Sequence, residues 1–156
     1  MNNPSNQSTP PLPVPTASVM LQVLVQLLLN EPDIQFAVLT GSRATNTAHA
    51  TSDWDIALQW HPELDWLAML GKTETLRKKI ATALGESLEK IDLIELRRAN
   101  LAMRAAVAET GLPLTGEDSL AWARFLTRTW RELEDFYWEQ THAADLYQAE
   151  TARIAR

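Results

Sequence analysis

The residues best equipped for chemistry are gathered in one stretch, Gly41 to Asp55 (GSRATNTAHATSDWD), where Gly41-Ser42 is followed after ten residues by Asp53-Trp54-Asp55. Two aspartates at i and i+2 of a strand project to one face a few ångströms apart and repel each other unless cations lie between them. Such a pair suits Mg2+, which takes a few protein oxygens and completes its shell with waters and substrate phosphates. A glycine and a serine at the end of a strand, where the chain enters a helical turn, add backbone donors and a hydroxyl suited to phosphate oxygens. Together they describe a metal-nucleotide site. A third carboxylate is sought on a neighbouring strand, and Asp92 is the leading candidate, because an aspartate between Ile91 and Leu93 in an apolar strand is costly unless it has a task. It can complete a metal shell and accept the proton of an attacking hydroxyl. Glu95 competes for the role, but strand alternation puts it with Ile91 and Leu93, whereas Asp92 shares its face with Ile94 and Leu96.

Asp-x-Asp alone is weak evidence, since it occurs in many turns. Four fixed positions at roughly one in fifteen to one in twenty each give a chance match in a chain of this length on the order of one in a thousand. His49 lies in the same loop, within reach of a nucleotide, while His61 and His142 have polar neighbours and read as surface residues.

The elements that must position these residues follow from pattern. Residues 1–16 hold five of the eight prolines and read as a disordered tail. Ala17 to Asn30 (with the run VMLQVLVQLLL) is apolar nearly all round, which predicts a well-buried helix ended by Asn30-Glu31-Pro32. Strands are expected at Ile34 to Thr40, Asp53 to Trp60 and Lys90 to Leu96, with Trp54 facing away from its flanking aspartates. A helix from Leu64 to Leu84 carries Leu67, Leu70 and Leu76 on its apolar side, with Gly85 near its end. A helix from Ala99 to Glu109 and a short strand around Pro113 to Thr115 precede one final helix from Asp118.

That last helix spans about 35 residues or 50 Å. Trp122, Leu126, Trp130, Leu133 and Tyr137 fall in one stripe, with Phe125, Phe136, Tyr147 and Ile154 beside it. The stripe as far as Leu133 is expected to be core. Beyond Tyr137 the helix outruns a domain of this size and is expected to dock on another chain. The expected organisation is therefore a tail at 1–16, a domain at 17–117, and a long carboxy-terminal helix at 118–156 that packs on the domain and on a partner.

Composition narrows the classes. The 156 residues are 46% hydrophobic with a net charge of -6, as expected of an ordinary soluble domain. The absence of cysteine removes disulfides and thiolate metal sites. With 14 Lys+Arg against 20 Asp+Glu, a protein that grips a nucleic-acid backbone is disfavoured, so no direct polynucleotide binding is expected. The basic residues cluster at Arg77-Lys78-Lys79, at Arg97-Arg98 and in the last helix. The longest apolar stretch, Val19 to Leu29, is interrupted by Gln22 and Gln26 and is about half of the ~20 residues a bilayer span needs. The first basic residue is Arg43, so the positive start of a secretory signal is missing and a cytoplasmic location is expected.

Gly41-Ser42, ten residues, Asp53-x-Asp55 and the later Ile91-Asp92-Leu93 resemble the signature of the DNA polymerase β nucleotidyltransferase superfamily. The similarity is greatest to its minimal nucleotidyltransferase (MNT) branch. The local text FAVLTGSRAT and SDWDIAL is close to the form usual in MNT antitoxins, the partners of HEPN-domain toxins, and covers about Ile34 to Leu96. The resemblance implies an α/β (α+β) fold, a polymerase β-like mixed sheet flanked by helices. It also implies Mg2+ and ATP as cofactors, and transfer of AMP to a tyrosine hydroxyl of a cognate HEPN ribonuclease, which silences the toxin. Carried over by position, Asp53 and Asp55 would hold two metals, and Asp92 would hold one and act as base. Gly41 and Ser42 would cradle the β and γ phosphates, and Arg43 would add charge compensation to the triphosphate.

The sequence departs from the pattern at Asn46, where a glycine is common, and at Trp54, which replaces a small aliphatic residue. Asparagine tolerates the left-handed conformation, and Trp54 should affect packing more than chemistry. Two alternatives remain: a non-catalytic antitoxin that acts by occlusion, and an adenylyltransferase of aminoglycoside-like small molecules. The second normally needs an extra helical domain, for which there is little room after Asp118.

Overall fold

The structure, a computed structural model, describes residues 16–154, so the expected tail lies outside the described residues apart from Thr16. The elements run α1 (Ala17–Leu29), β1 (Ile34–Thr40), a 3-10 turn (Gly41–Arg43), β2 (Trp54–Trp60), α2 (Trp66–Leu84), a second 3-10 turn (Leu88–Lys90), β3 (Ile91–Glu95), α3 (Leu101–Thr110), β4 (Leu112–Thr115) and α4 (Leu120–Ile154). Asp65 and Asn100 cap α2 and α3 by accepting from the N–H groups of Ala68 and Met103. Gly85 closes α2 in the left-handed conformation at φ 66°.

The strands form one sheet in the order β3-β2-β1-β4. β1 lies antiparallel to β2 and β4, and β2 lies parallel to β3 through the α2 crossover. Strand alternation then divides the interior. One face packs Leu39, Trp54, Ile56, Leu58, Trp60 and Ile91 against Leu24 and Leu28 of α1 and Leu76, Ile80 and Leu84 of α2. The other packs Phe36, Val38, Ala57 and Leu96 against Val107 of α3 and Trp122 and Phe125 of α4. Phe36, Trp122 and Phe125 form an aromatic triangle with ring centroids 5.1 to 5.5 Å apart, which seats α4 on the sheet.

Several expectations are corrected here. α1 is not buried all round: only Leu24 and Leu28 are fully covered, and Val19, Val23 and Leu29 face solvent, because the sheet and α2 cover only one side of it. Leu67 and Leu70 of α2 are exposed for the same reason, and the buried side is Leu76, Ile80, Ala81 and Leu84. On α4 the buried stripe is Trp122, Phe125, Thr129 and Leu133, while Trp130 is exposed. The aromatic triangle turns the helix toward Phe125 and brings Thr129, a polar residue that a hydrophobic count passes over, fully inside. From Glu134 to Ile154 every residue of α4 is exposed. No helix among the described residues is long and apolar enough to cross a membrane.

Candidate nucleotide site

The β1 and β3 neighbours of β2 decide what surrounds its aspartates. Asp55 is paired with Thr40 on one side and with Asp92 on the other. Adjacent strands are ~4.8 Å apart, so the two carboxylates stand level on one sheet face. Trp54, between the aspartates, is buried on the opposite face. Asp53 precedes β2 and is exposed. Burial raises the Asp55 carboxyl above its ordinary value, the charges of Asp92 and Asp53 push it the same way, and Arg43 opposes them. The charges of Asp92 and Asp53 thus both reach the Asp55 carboxylate. Asp92 itself is exposed at the surface, which corrects the expectation of an apolar enclosure: it looks into an open cleft, and alternation, not burial, sets its position.

Gly41 follows β1 with φ 70° and lies directly against the Asp55 carboxylate; an added Cβ would overlap Oδ2 and come within 3.2 Å of Cγ. Only glycine gives both this backbone conformation and this close approach. Asn46 has φ 57°, so it takes the left-handed turn that its position in the loop requires. Thr45 and Thr47 bond to each other at 3.0 Å and to the Ser42 carbonyl, which ties the loop into a compact turn. The cleft has a volume of about 500 Å3 and is lined by Thr40, Gly41, Ser42, Asp55 and Asp92, with Met103, Ala106 and Thr110 of α3 as its far wall. The α3 wall was invisible in the sequence, because it depends on how the chain returns after β3. The threonines stood within the motif loop but were not singled out.

Arg43 is engaged elsewhere. Its Nε donates to the Asp53 carbonyl at 3.0 Å, its Nη2 donates to the Ser52 carbonyl at 2.6 Å, and the guanidinium lies 4.1 Å over the Trp54 ring. It braces the end of the loop against β2 and lowers the repulsion on Asp55. His49 is exposed, and its backbone N–H donates to the Ser52 hydroxyl.

Among the described residues no three carboxylate or imidazole groups converge into a ready-made cation cage. The donor set still fits Mg2+, a hard cation that binds through one or two carboxylates plus substrate phosphates, and the strain on Asp55 is of the kind a cation relieves. Glu95 does not join this group. It pairs with Leu58 at the far end of β3 and points to the other face. Burial raises its carboxyl above the ordinary 4.5, against the opposing pull of Arg97 and nearby backbone N–H groups. A raised carboxylate contributes its stability below the unfolded value and loses it as pH climbs through the folded one. Glu95→Gln should therefore raise the melting temperature at pH 7, with the gain vanishing below pH 4.5; a pH series of melting curves reads it.

The family described as Polymerase beta, Nucleotidyltransferase matches residues 22–120, from within α1 to the first residue of α4. The chain belongs to this nucleotidyltransferase family. A curated relative, the protein adenylyltransferase MntA of Aphanizomenon flos-aquae (strain 2012/KM1/D3), is 29% identical over 119 residues, covering 74% of this nucleotidyltransferase and 79% of MntA. Among solved structures, a toxin-antitoxin with AMP-PNP aligns at TM-score 0.62 and 28% identity, covering 80% of this chain and 95% of that one. A tri-AMPylated Shewanella oneidensis HEPN toxin in complex with MNT antitoxin aligns at TM-score 0.58 and 24% identity over 83% and 97% of the two chains, a likeness of fold. The mixed sheet with its long last helix is thus a polymerase β-like nucleotidyltransferase fold.

Proposed function

We propose that this nucleotidyltransferase is an antitoxin that transfers AMP from ATP to a tyrosine hydroxyl of a cognate HEPN toxin. The observation that carries the reading is the placement of Asp55 level with Asp92 at the floor of a cleft that the Gly41-Ser42 turn borders. Its likeness to the protein adenylyltransferase MntA and to a toxin-antitoxin with AMP-PNP supports ATP as the donor and a toxin as the partner, and the fold it shares with the MNT antitoxin of a HEPN toxin complex agrees with a HEPN partner.

Asp53, Asp55 and Asp92 are the residues that would hold a pair of Mg2+ ions. Bound Mg2+ supplies neutralisation of the triphosphate and of the charge that develops on the leaving pyrophosphate. The Gly41-Ser42 turn presents backbone donors and a hydroxyl to the β and γ phosphates. The acceptor oxygen bonds to the α-phosphorus as the bond to the bridging oxygen breaks, pyrophosphate departs, and Asp92 takes the hydroxyl proton. Arg43 holds the Asp53 backbone in place through its carbonyl, and so acts on the site by positioning.

The partner docks on the exposed part of α4, where Phe136, Tyr137, Trp138, Leu146, Tyr147 and Ile154 stand in solvent. The same exposed helix favours the second reading, a non-catalytic antitoxin that neutralises by occlusion. Incubating the chain with the HEPN protein encoded beside it, ATP and Mg2+ separates them. The partner's intact mass should rise by one or more AMP groups; a stable complex with no mass gain would leave occlusion as the function.

A further inference from the structure

Gln59 lies on the same face of β2 as Asp55, four residues further along, which is ~13 Å away at the strand rise. At that opposite end of the sheet is a second pocket of about 440 Å3, lined by Gln35, Gln59, Arg97, Arg104, Arg124 and Arg128. Four guanidinium groups around one pocket are unexpected in a chain of net charge -6. Glu132 offsets part of their mutual repulsion, pairing with Nη2 of Arg104 and accepting from Nε of Arg128 at 2.8 Å, and Glu95 on the other face of β3 attracts Arg97. Both contacts hold the Glu132 carboxyl down at about 2.

Arg104 is the decisive residue. It is 7% exposed, and its Nε and Nη1 have no hydrogen-bond partner among the described residues. Leaving charged donors buried and unpaired is costly, and a native protein offsets that cost with a ligand or ordered water. Arg124 makes no ion pair among the described residues. The two glutamines are already oriented: Gln35 Oε1 accepts from Gln59 Nε2 at 2.9 Å and from Arg97 Nη2 at 3.2 Å. This leaves the Gln35 amide N–H groups unused by those bonds.

We propose that this pocket binds a small phosphate-bearing anion, with Arg104 at its buried end and Arg97, Arg124 and Arg128 around its mouth. Four guanidinium groups against Glu132 in the pocket and Glu95 beside Arg97 leave an excess of about two positive charges, which a single side-chain carboxylate would not balance and a phosphate ester or pyrophosphate group would. The arginines converge on a concavity and do not run along a track, and a polynucleotide needs a track. Guanidinium is also the group whose planar donors fit phosphate oxygens best. The site is separate from the aspartate cleft and does not depend on which acceptor that cleft serves.

Calorimetric titration of the full chain in EDTA, which withholds the cation that nucleotide binding at the aspartates calls for, tests the proposal. The probes are pyrophosphate, AMP, citrate and a short single-stranded RNA. Wild type should bind pyrophosphate or AMP, and Arg124→Gln, an exposed change that leaves the core intact, should weaken that binding about tenfold. Arg104→Gln should abolish it while melting cooperatively. Tighter binding of pyrophosphate than of AMP assigns the site to free inorganic anions, and the reverse assigns it to nucleotides. Citrate binding as tightly as pyrophosphate, RNA binding more tightly with the same sensitivity to Arg124→Gln, or equal phosphate binding by wild type and Arg124→Gln would each overturn the proposal.

Discussion

Asp55→Asn should lower AMP transfer on the order of a thousandfold or more while the protein stays folded, because it removes the charge around which the cleft is organised. Asp55 has Thr40 and Asp92 as its sheet neighbours and Gly41 packed on its carboxylate, so the asparagine amide occupies the same space. What it loses is the negative charge. The effect on stability runs opposite to the effect on rate. The Asp55 carboxyl is raised above its ordinary 3.8, so its favourable contribution is complete below pH 3.8 and is lost as pH rises through the higher folded value. At neutral pH, without a cation, the asparagine variant should melt no lower than wild type, and any gain should shrink on acidification below pH 3.8. Adding Mg2+ with a non-hydrolysable ATP analogue should then stabilise wild type and not the variant. Transfer at a near-normal rate by Asp55→Asn would remove this aspartate from the mechanism.

Gly41→Ala should impair both transfer and folding, and it is the largest effect expected from a single methyl group. The residue has φ 70°, a conformation that costs an ordinary side chain about 1–2 kcal/mol, and the added carbon would overlap the Asp55 carboxylate. The backbone and the carboxylate must separate. A displacement of ~1 Å among reacting groups is enough to cost about a hundredfold in rate. The melting temperature should fall by about 5 °C, from the backbone strain together with the lost contact. Gly71→Ala is the control: Gly71 is in α2, and a Cβ there meets nothing within 4 Å, so that variant should keep its activity and melt slightly higher. Full transfer activity in Gly41→Ala would mean that its close approach to Asp55 does not position that carboxylate.

The local parts of the fold were legible because they are encoded locally. β1 is bounded by an apolar β-rich run and by Gly41; α2 ends at Gly85; β3 alternates cleanly enough to separate Asp92 from Glu95. The face taken by Asp55 could be read from the pleat, which turns it away from Trp54, whereas Asp53 precedes β2 and does not line the cleft, so the i, i+2 argument does not reach it. What could not be read was which side of each helix the rest of the protein covers. α1 is apolar on nearly every side yet presents only one to the sheet, so Val19 and Val23 were misjudged as buried. The buried side of α4 lies away from Trp130 because the contact of Trp122 and Phe125 with Phe36, a long-range one between β1 and α4, sets the helix's rotation. Arg43 looked like a ligand for phosphate, and its bonds to the carbonyls of Ser52 and Asp53 follow from loop closure that no short motif specifies. The pocket around Arg104 draws on β1, β2, α3 and α4 and has no signature in any one segment.

The level pairing of Asp55 with Asp92 makes catalysis a late product of folding. β1 and β2 meet as antiparallel neighbours across residues 41–53, but β3 joins only after the longer connection through all of α2 has formed or been spanned, a non-local closure of the kind that slows folding. A slip of one residue in that docking turns Asp92 to the opposite face and Glu95 toward the cleft side. On the proposed mechanism the third carboxylate arrives only in the correctly registered native state, and a partly assembled molecule that already carries the Gly41-Ser42 turn and Asp55 is expected to be inert.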